Sequence, residues 1–137
     1  MKYFLIFVFL IYNILPVLAD TKIPIKIIKI TDGDSLEAQI NNNKFKIRLI
    51  GIDCYETCKI HRAYRQTYEN NISVDEVVAC GKKSKEYLQE LYDNNSDKEI
   101  QFDFKGVDKY GRALGILYFD DININQKLIE NGGCMKI

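Results

Sequence analysis

The apolar positions of the chain fall into short alternating runs. Ile23, Ile25 and Ile27 share one parity and Ile28 and Ile30 the other, the pattern of a strand interrupted by a bulge. Asp32-Gly33 is a hairpin signal, after which Leu36, Ala38 and Ile40 recur at period two. Asn41-Asn42-Asn43 makes a second turn before Phe45, Ile47 and Leu49. These runs predict a three-stranded antiparallel meander. Ile100, Phe102 and Phe104 form a fourth strand, Asp108 to Gly111 a turn, and Leu114 to Phe119 a fifth. A capping box at Ser73 and Glu76 opens a helix whose apolar face is Val77, Cys80, Ser84, Leu88 and Leu91, with Gly81 as a weak point. A closing helix runs from about Asn123 through Leu128 and Ile129, and Gly132-Gly133 stops it. From Thr57 to Ala79 the chain is polar and lacks a sustained period, so the stretch holding His61, Arg62, Tyr64, Arg65 and Tyr68 reads as a long excursion, a candidate lid. The fold class is α+β, mainly β. Five strands with a helix after the third suit a small closed barrel, because closure removes the edges that so short a meander leaves open.

The first residues follow another pattern. Lys2 precedes an apolar stretch from Tyr3 to Leu18, and Val17-Leu18-Ala19 has the small-residue form of a cleavage site, so residues 1–19 read as a signal peptide and residues 20–137 as one domain. An uncleaved anchor is the alternative, but Asn13 and Pro16 interrupt a stretch already shorter than the roughly 20 residues a span needs. The expectation is a periplasmic or secreted monomer with no stable membrane association after cleavage. Without the leader the chain carries 18 basic and 19 acidic residues. That balance argues against non-specific electrostatic grip on nucleic acid, which needs many Lys or Arg contacts to phosphate. An even set of four cysteines, Cys54, Cys58, Cys80 and Cys134, favours disulfides in an exported domain, and three pairings are possible. A zinc site is less well supported: Cys54-x3-Cys58 has no matching second pair, and the lone His61 is poorly spaced to complete one.

The candidate chemistry sits at the turns and strand ends. Asp34 begins one strand and Asp53 ends another, so closure of the meander sets both carboxylates at one rim, where hard oxygen donors suit calcium. Asp and Gly also dominate hairpin turns for purely local reasons. Glu56 lies three residues beyond Asp53 and is placed to hold a water as general base. Arg48 stands among Ile47, Leu49 and Ile50 with the opposite parity, which places it on an outer face, where strand arginines usually pair with surface acids. Arg112 follows the Gly111 turn, and Tyr110, within that turn, is available for packing or for stacking on a base. Each residue alone is ordinary.

Taken in order, Asp32-Gly33-Asp34-Ser35, then Ile47-Arg48-Leu49-Ile50-Gly51-Ile52-Asp53 with Glu56-Thr57, then Asp108-Lys109-Tyr110-Gly111-Arg112, the chain resembles the staphylococcal nuclease (thermonuclease) family over roughly Ile25 to Lys136. The resemblance implies a five-stranded OB-fold barrel with two or three helices. It also implies a Ca2+-dependent phosphodiesterase that cuts DNA and RNA and leaves 3′-phosphate ends. Carried over position by position, Asp34 and Asp53 are metal ligands with the backbone carbonyl of Cys54 as a third, and Glu56 is the general base. Arg48 and Arg112 grip the scissile phosphate, and Lys109 and Tyr110 contact the nucleotide.

The chain departs from the best-known member in four respects. Cys54 and Tyr55 replace a threonine and a proline between the metal ligand and the glutamate, which leaves a carbonyl ligand in place. Thr57 to Ala79 is longer than its counterpart, and its bracketing by Cys58 and Cys80 resembles exported bacterial relatives. That implies a Cys58–Cys80 disulfide, with Cys54–Cys134 as the remaining pair. The family's final helix, with a substrate-facing tyrosine, has no counterpart before Ile137, so a weaker hold on the nucleotide is expected. The near-neutral charge likewise implies weak, salt-sensitive binding to long DNA. Two other readings stand beside the nuclease: an OB-fold module that binds nucleic acid or protein without catalysis, and an exported calcium-binding or interaction domain.

Overall fold

The computed structural model describes residues 21–137. The expected leader over residues 1–19 lies outside these. Strands β1 (Lys22–Pro24), β2 (Lys26–Asp32), β3 (Ser35–Ile40), β4 (Asn43–Leu49) and β5 (Ile52–Asp53) precede helices α1 (His61–Asn70) and α2 (Val74–Asn94). There follow β6 (Ile100–Val107), β7 (Ala113–Phe119), β8 (Ile122–Asn123), α3 (Ile124–Glu130) and β9 (Met135–Lys136). The main sheet runs β1-β6-β7-β4-β3-β2, with β8 on β7. Its ends, β1 and β2, are successive pieces of one segment joined through Ile25, whose N–H donates to the Ile100 carbonyl. The expected barrel is thus a strongly curled sheet whose edges meet along one bent segment rather than through a closed ladder.

The predicted bulge lies in β2, where the pairing with β3 slips between Ile27 and Lys29 and again between Ile30 and Asp32. The slip lets Ile27 and Ile30, three apart, both face the core and leaves Ile28 half exposed. Leu36, Ala38, Ile47, Leu49, Phe102, Leu117 and Phe119 fill the interior, and α2 and α3 add Leu88, Ile124 and Leu128.

Ser73 caps α2 through the predicted reciprocal box: its hydroxyl accepts from the Glu76 N–H, and the Glu76 carboxylate accepts from the Ser73 N–H. Gly81 is a point of close approach, since a Cβ there would collide with the backbone carbonyl of Glu56. Two expectations are corrected. The excursion from Thr57 to Ala79 is not irregular throughout: it contains α1, whose buried face is Ala63 and Gln66, too small and too polar to register as an apolar stripe. His61 is therefore the first helical residue rather than a loop residue. The structure contains the expected Cys54–Cys134 bond but not the expected Cys58–Cys80 one: Cys58 and Cys80 are free thiols, Cys58 on the surface.

Candidate active site

Register brings the chain's separated charges together. β3 pairs with β4 so that Ser35 lies opposite Arg48, which delivers the neighbouring Asp34 to the Arg48 guanidinium. Arg48 Nη1 is ion-paired to Asp34 Oδ2, and Nη2 is 3.3 Å from Asp53 Oδ1. Asp53 can return to Arg48 because Gly51, at φ 74°, turns the chain out of β4 into β5. The Cys54 N–H then donates to Asp34 Oδ2 at 2.7 Å, binding the two carboxylate-bearing strands to each other. Arg48 thus points away from the core, as its parity predicts, but its partners are buried acids rather than surface ones.

The parallel pairing of β4 with β7 sets Leu114 beside Arg48, and Arg112, two residues earlier, lies toward the same cleft. Asp108 fixes it there. One Asp108 carboxylate oxygen accepts from the Tyr110 and Arg112 N–H groups at 2.9 and 3.0 Å, and the other accepts from Arg112 Nε at 2.7 Å. Tyr110 stands largely exposed on this turn, with Lys109 5.1 Å and Arg112 5.5 Å from its ring centroid.

Helix α1 contributes residues that sequence reasoning missed. Arg62 Nη2 lies 2.7 Å from Asp53 Oδ2, and its Nε lies 3.8 Å from Glu56 Oε1. Gln66 is fully buried: its Nε2 donates to the Cys54 carbonyl at 3.1 Å, and its Oε1 accepts from the Glu56 N–H at 3.0 Å. One side chain therefore holds both ends of the Cys54–Glu56 turn. The signal was in the sequence as Arg62, Arg65 and Gln66 at i, i+3 and i+4, but with no large apolar residue to set the phase. Burial raises the Glu56 pKa, the Asp32 and Asp34 carboxylates raise it further, and Arg62 and Arg48 partly offset both. A carboxylate so placed is a better proton acceptor than a solvated one.

Asp34, Arg48, Glu56, Arg62, Arg65, Tyr110 and Arg112 all line one cleft of about 470 Å³. Asp53 lies beneath its wall, covered by Arg48 and Arg62, and Lys109 is not part of the lining. Among the described residues no three His, Cys, Asp or Glu side chains gather as a metal cage. In kind, two carboxylates and the Cys54 carbonyl fit a hard divalent cation that takes the rest of its oxygens from water or substrate. The Cys54 carbonyl has a second lone pair beyond the one that Gln66 uses. Both Asp53 oxygens, and Asp34 Oδ2, are held by guanidinium or N–H groups, so a cation would compete with Arg48 and Arg62 for them.

A family model described as staphylococcal nuclease homologue matches residues 46–136. That stretch takes in Arg48, Asp53, Cys54, Glu56, Lys109, Tyr110 and Arg112 and begins after Asp34. An uncharacterized endonuclease of Haemophilus influenzae is 30% identical over 124 residues, which is 90% of this chain and 57% of that protein. A thermonuclease of Staphylococcus hyicus is 25% identical over 107 residues, 78% of this chain and 55% of its own. A micrococcal nuclease of Shigella flexneri is 28% identical over 93 residues, 68% of this chain and 41% of its own. The chain spans about half the length of these curated relatives.

Proposed function

The chain belongs to the staphylococcal nuclease family, and from that premise we propose that it is a Ca2+-dependent phosphodiesterase that cuts DNA and RNA and leaves 3′-phosphate ends. The observation that carries this reading is the meeting of two arginines, Arg48 and Arg112, with the half-buried acid Glu56 in one cleft. A phosphodiester is anionic and repels nucleophiles, so its hydrolysis needs fixed positive charge on the phosphate oxygens and a base for water. Arg48 and Arg112 supply the charge as planar forks, and Asp108 aims the second by holding its Nε edge. Glu56 takes a proton from water as the water oxygen bonds to phosphorus and the bond from phosphorus to the 5′ oxygen breaks. Arg112 stabilises the charge developing on the departing 5′ oxygen, which takes its proton from solvent. Tyr110 offers a face for the neighbouring base. A divalent cation held by Asp34, Asp53 and the Cys54 carbonyl would add positive charge beside the same phosphate oxygens.

Export belongs to the same proposal. The Cys54–Cys134 disulfide supports it, since such bonds persist in oxidising compartments. Mass spectrometry that finds Asp20 at the N-terminus would agree, and an intact Met1 would refute cleavage. The function is tested by cleavage of labelled DNA and RNA with calcium, with a chelator, and in Glu56→Gln and Arg112→Ala. Each change is expected to lower turnover by about 10²- to 10⁴-fold. Turnover indifferent to all of them would remove the mechanism, and tight oligonucleotide binding without turnover would point to a binding module.

A further inference from the structure

The cleft holds more guanidinium than one phosphate uses. Arg48 and Arg112 suffice for the two non-bridging oxygens of a scissile phosphodiester, yet Arg62 and Arg65 line the same cleft from α1. They stand at i and i+3 and are therefore neighbours on one helical face. Arg62 is anchored at its place by Asp53 and Glu56. Arg65 has only a loose tie: its Nε is 3.4 Å from Glu69, and both side chains are about half exposed. Such a pair is worth little and gives way easily to a stronger anion. Both arginines come from the long segment between β5 and α2, so they add to the positive charge supplied by the two strand-borne arginines.

We propose that Arg62 and Arg65 form a second phosphate subsite, which takes the phosphodiester next to the scissile one on a single DNA or RNA strand. This rests on the phosphodiesterase reading of the cleft. The subsite would make the protein prefer chains with two or more phosphates over a dinucleoside monophosphate, and it would give a near-neutral protein a local grip that its global charge does not supply.

Arg65 is the clean probe, because removing Arg62 would also disturb Asp53 and Glu56. In a Glu56→Gln background with calcium, fluorescence anisotropy would measure binding of labelled single-stranded DNA and RNA octamers over a range of salt, with competition by a dinucleoside monophosphate. Arg65→Ala is expected to weaken both octamers about five- to tenfold and to reduce the slope of log K against log salt by about 0.7, the contribution of one phosphate on a single strand. Arg65→Lys should keep the slope, and the dinucleoside monophosphate should bind all three proteins alike. An unchanged slope in Arg65→Ala, an equal loss on the dinucleoside monophosphate, or an effect confined to one of the two octamers would overturn the subsite. If the unsubstituted protein still cleaves nucleic acid, only the subsite falls; if it neither binds nor cleaves, the phosphodiesterase reading falls as well.

Discussion

Gln66→Met tests whether a single buried amide sets the position of the proposed general base. Methionine has the same reach but no donor and only a weakly accepting sulfur, so the Cys54 carbonyl and the Glu56 N–H, now 3.1 and 3.0 Å from the Gln66 amide, both lose their amide partner. A buried backbone group left without a partner costs about 1–3 kcal/mol. Cys54 is almost fully buried, while Glu56 is partly exposed and can recover some hydration. With the Glu56 loss held to about 1 kcal/mol by that hydration, and roughly 1 kcal/mol returned because no amide need then be desolvated, the net cost is about 1–3 kcal/mol. For a domain of this size that lowers Tm on the order of 5–12 °C. The catalytic effect is separable. Arg48 and Arg112 are untouched, so KM should change less than about threefold, whereas loosening the Glu56 backbone by an ångström should cost about 10- to 100-fold in kcat. Circular dichroism melts and steady-state kinetics below 20 °C measure the two effects. A melt unchanged within about 2 °C would refute the energetic argument, and a lowered melt with intact kcat would show that Gln66 does not position Glu56.

Two further predictions rest on other parts of the fold. Cys54→Ser with Cys134→Ser opens a loop of sequence separation 80, which chain entropy values at about 4.5 kcal/mol, while disulfides typically contribute about 2–4. The urea midpoint should fall, reducing agent should lower the original protein to match, and equal midpoints would refute a stabilising bridge. Asp103 has a lowered pKa, chiefly because the Thr21 hydroxyl donates to it at 2.7 Å, with burial opposing and Lys105 assisting. Its stabilising contribution is therefore present above the pKa of an unfolded aspartate and is lost as pH falls through the lower folded value. Asp103→Asn should flatten the decline of Tm below about pH 4, and an unchanged decline would refute this.

The strands were legible because each carries large apolar residues at period two, and even the β2 bulge showed as a change of parity at Ile28. Helix α2 was legible from its capping box. Helix α1 was not, because the residues it buries are Ala63 and Gln66, and a periodicity argument counts neither as a core residue. The same blindness hid Arg62, which reads in sequence as one more charge in a polar stretch. The resemblance points to a Cys58–Cys80 bond, but a resemblance carries no distance, and both are free thiols. What brings Cys54 to Cys134 is the antiparallel pairing of β5 with β9, Asp53 opposite Met135, a contact of two-residue strands too short to show a period.

Cys54 accordingly joins three roles that the sequence keeps apart. Its thiol ties β5 to the C-terminal strand, its N–H holds Asp34, and its carbonyl rests on Gln66. Asp53 precedes it and Glu56 follows two residues later, so the proposed cation ligands and the proposed base hang from one short, cross-linked turn. Gly81 completes the support, since only a residue without Cβ lets α2 press against the Glu56 carbonyl. Position at this turn is therefore fixed by the fold rather than by the ligand. The arginines are supplied differently: Arg48 from β4, Arg112 from the turn before β7, Arg62 from α1. A substitution in the turn should move the base and the cation ligands together, and one at Arg48 or Arg62 should loosen the carboxylates it holds, while a substitution at Arg112, which is held by Asp108, should leave them in place and weaken only its own contact with phosphate.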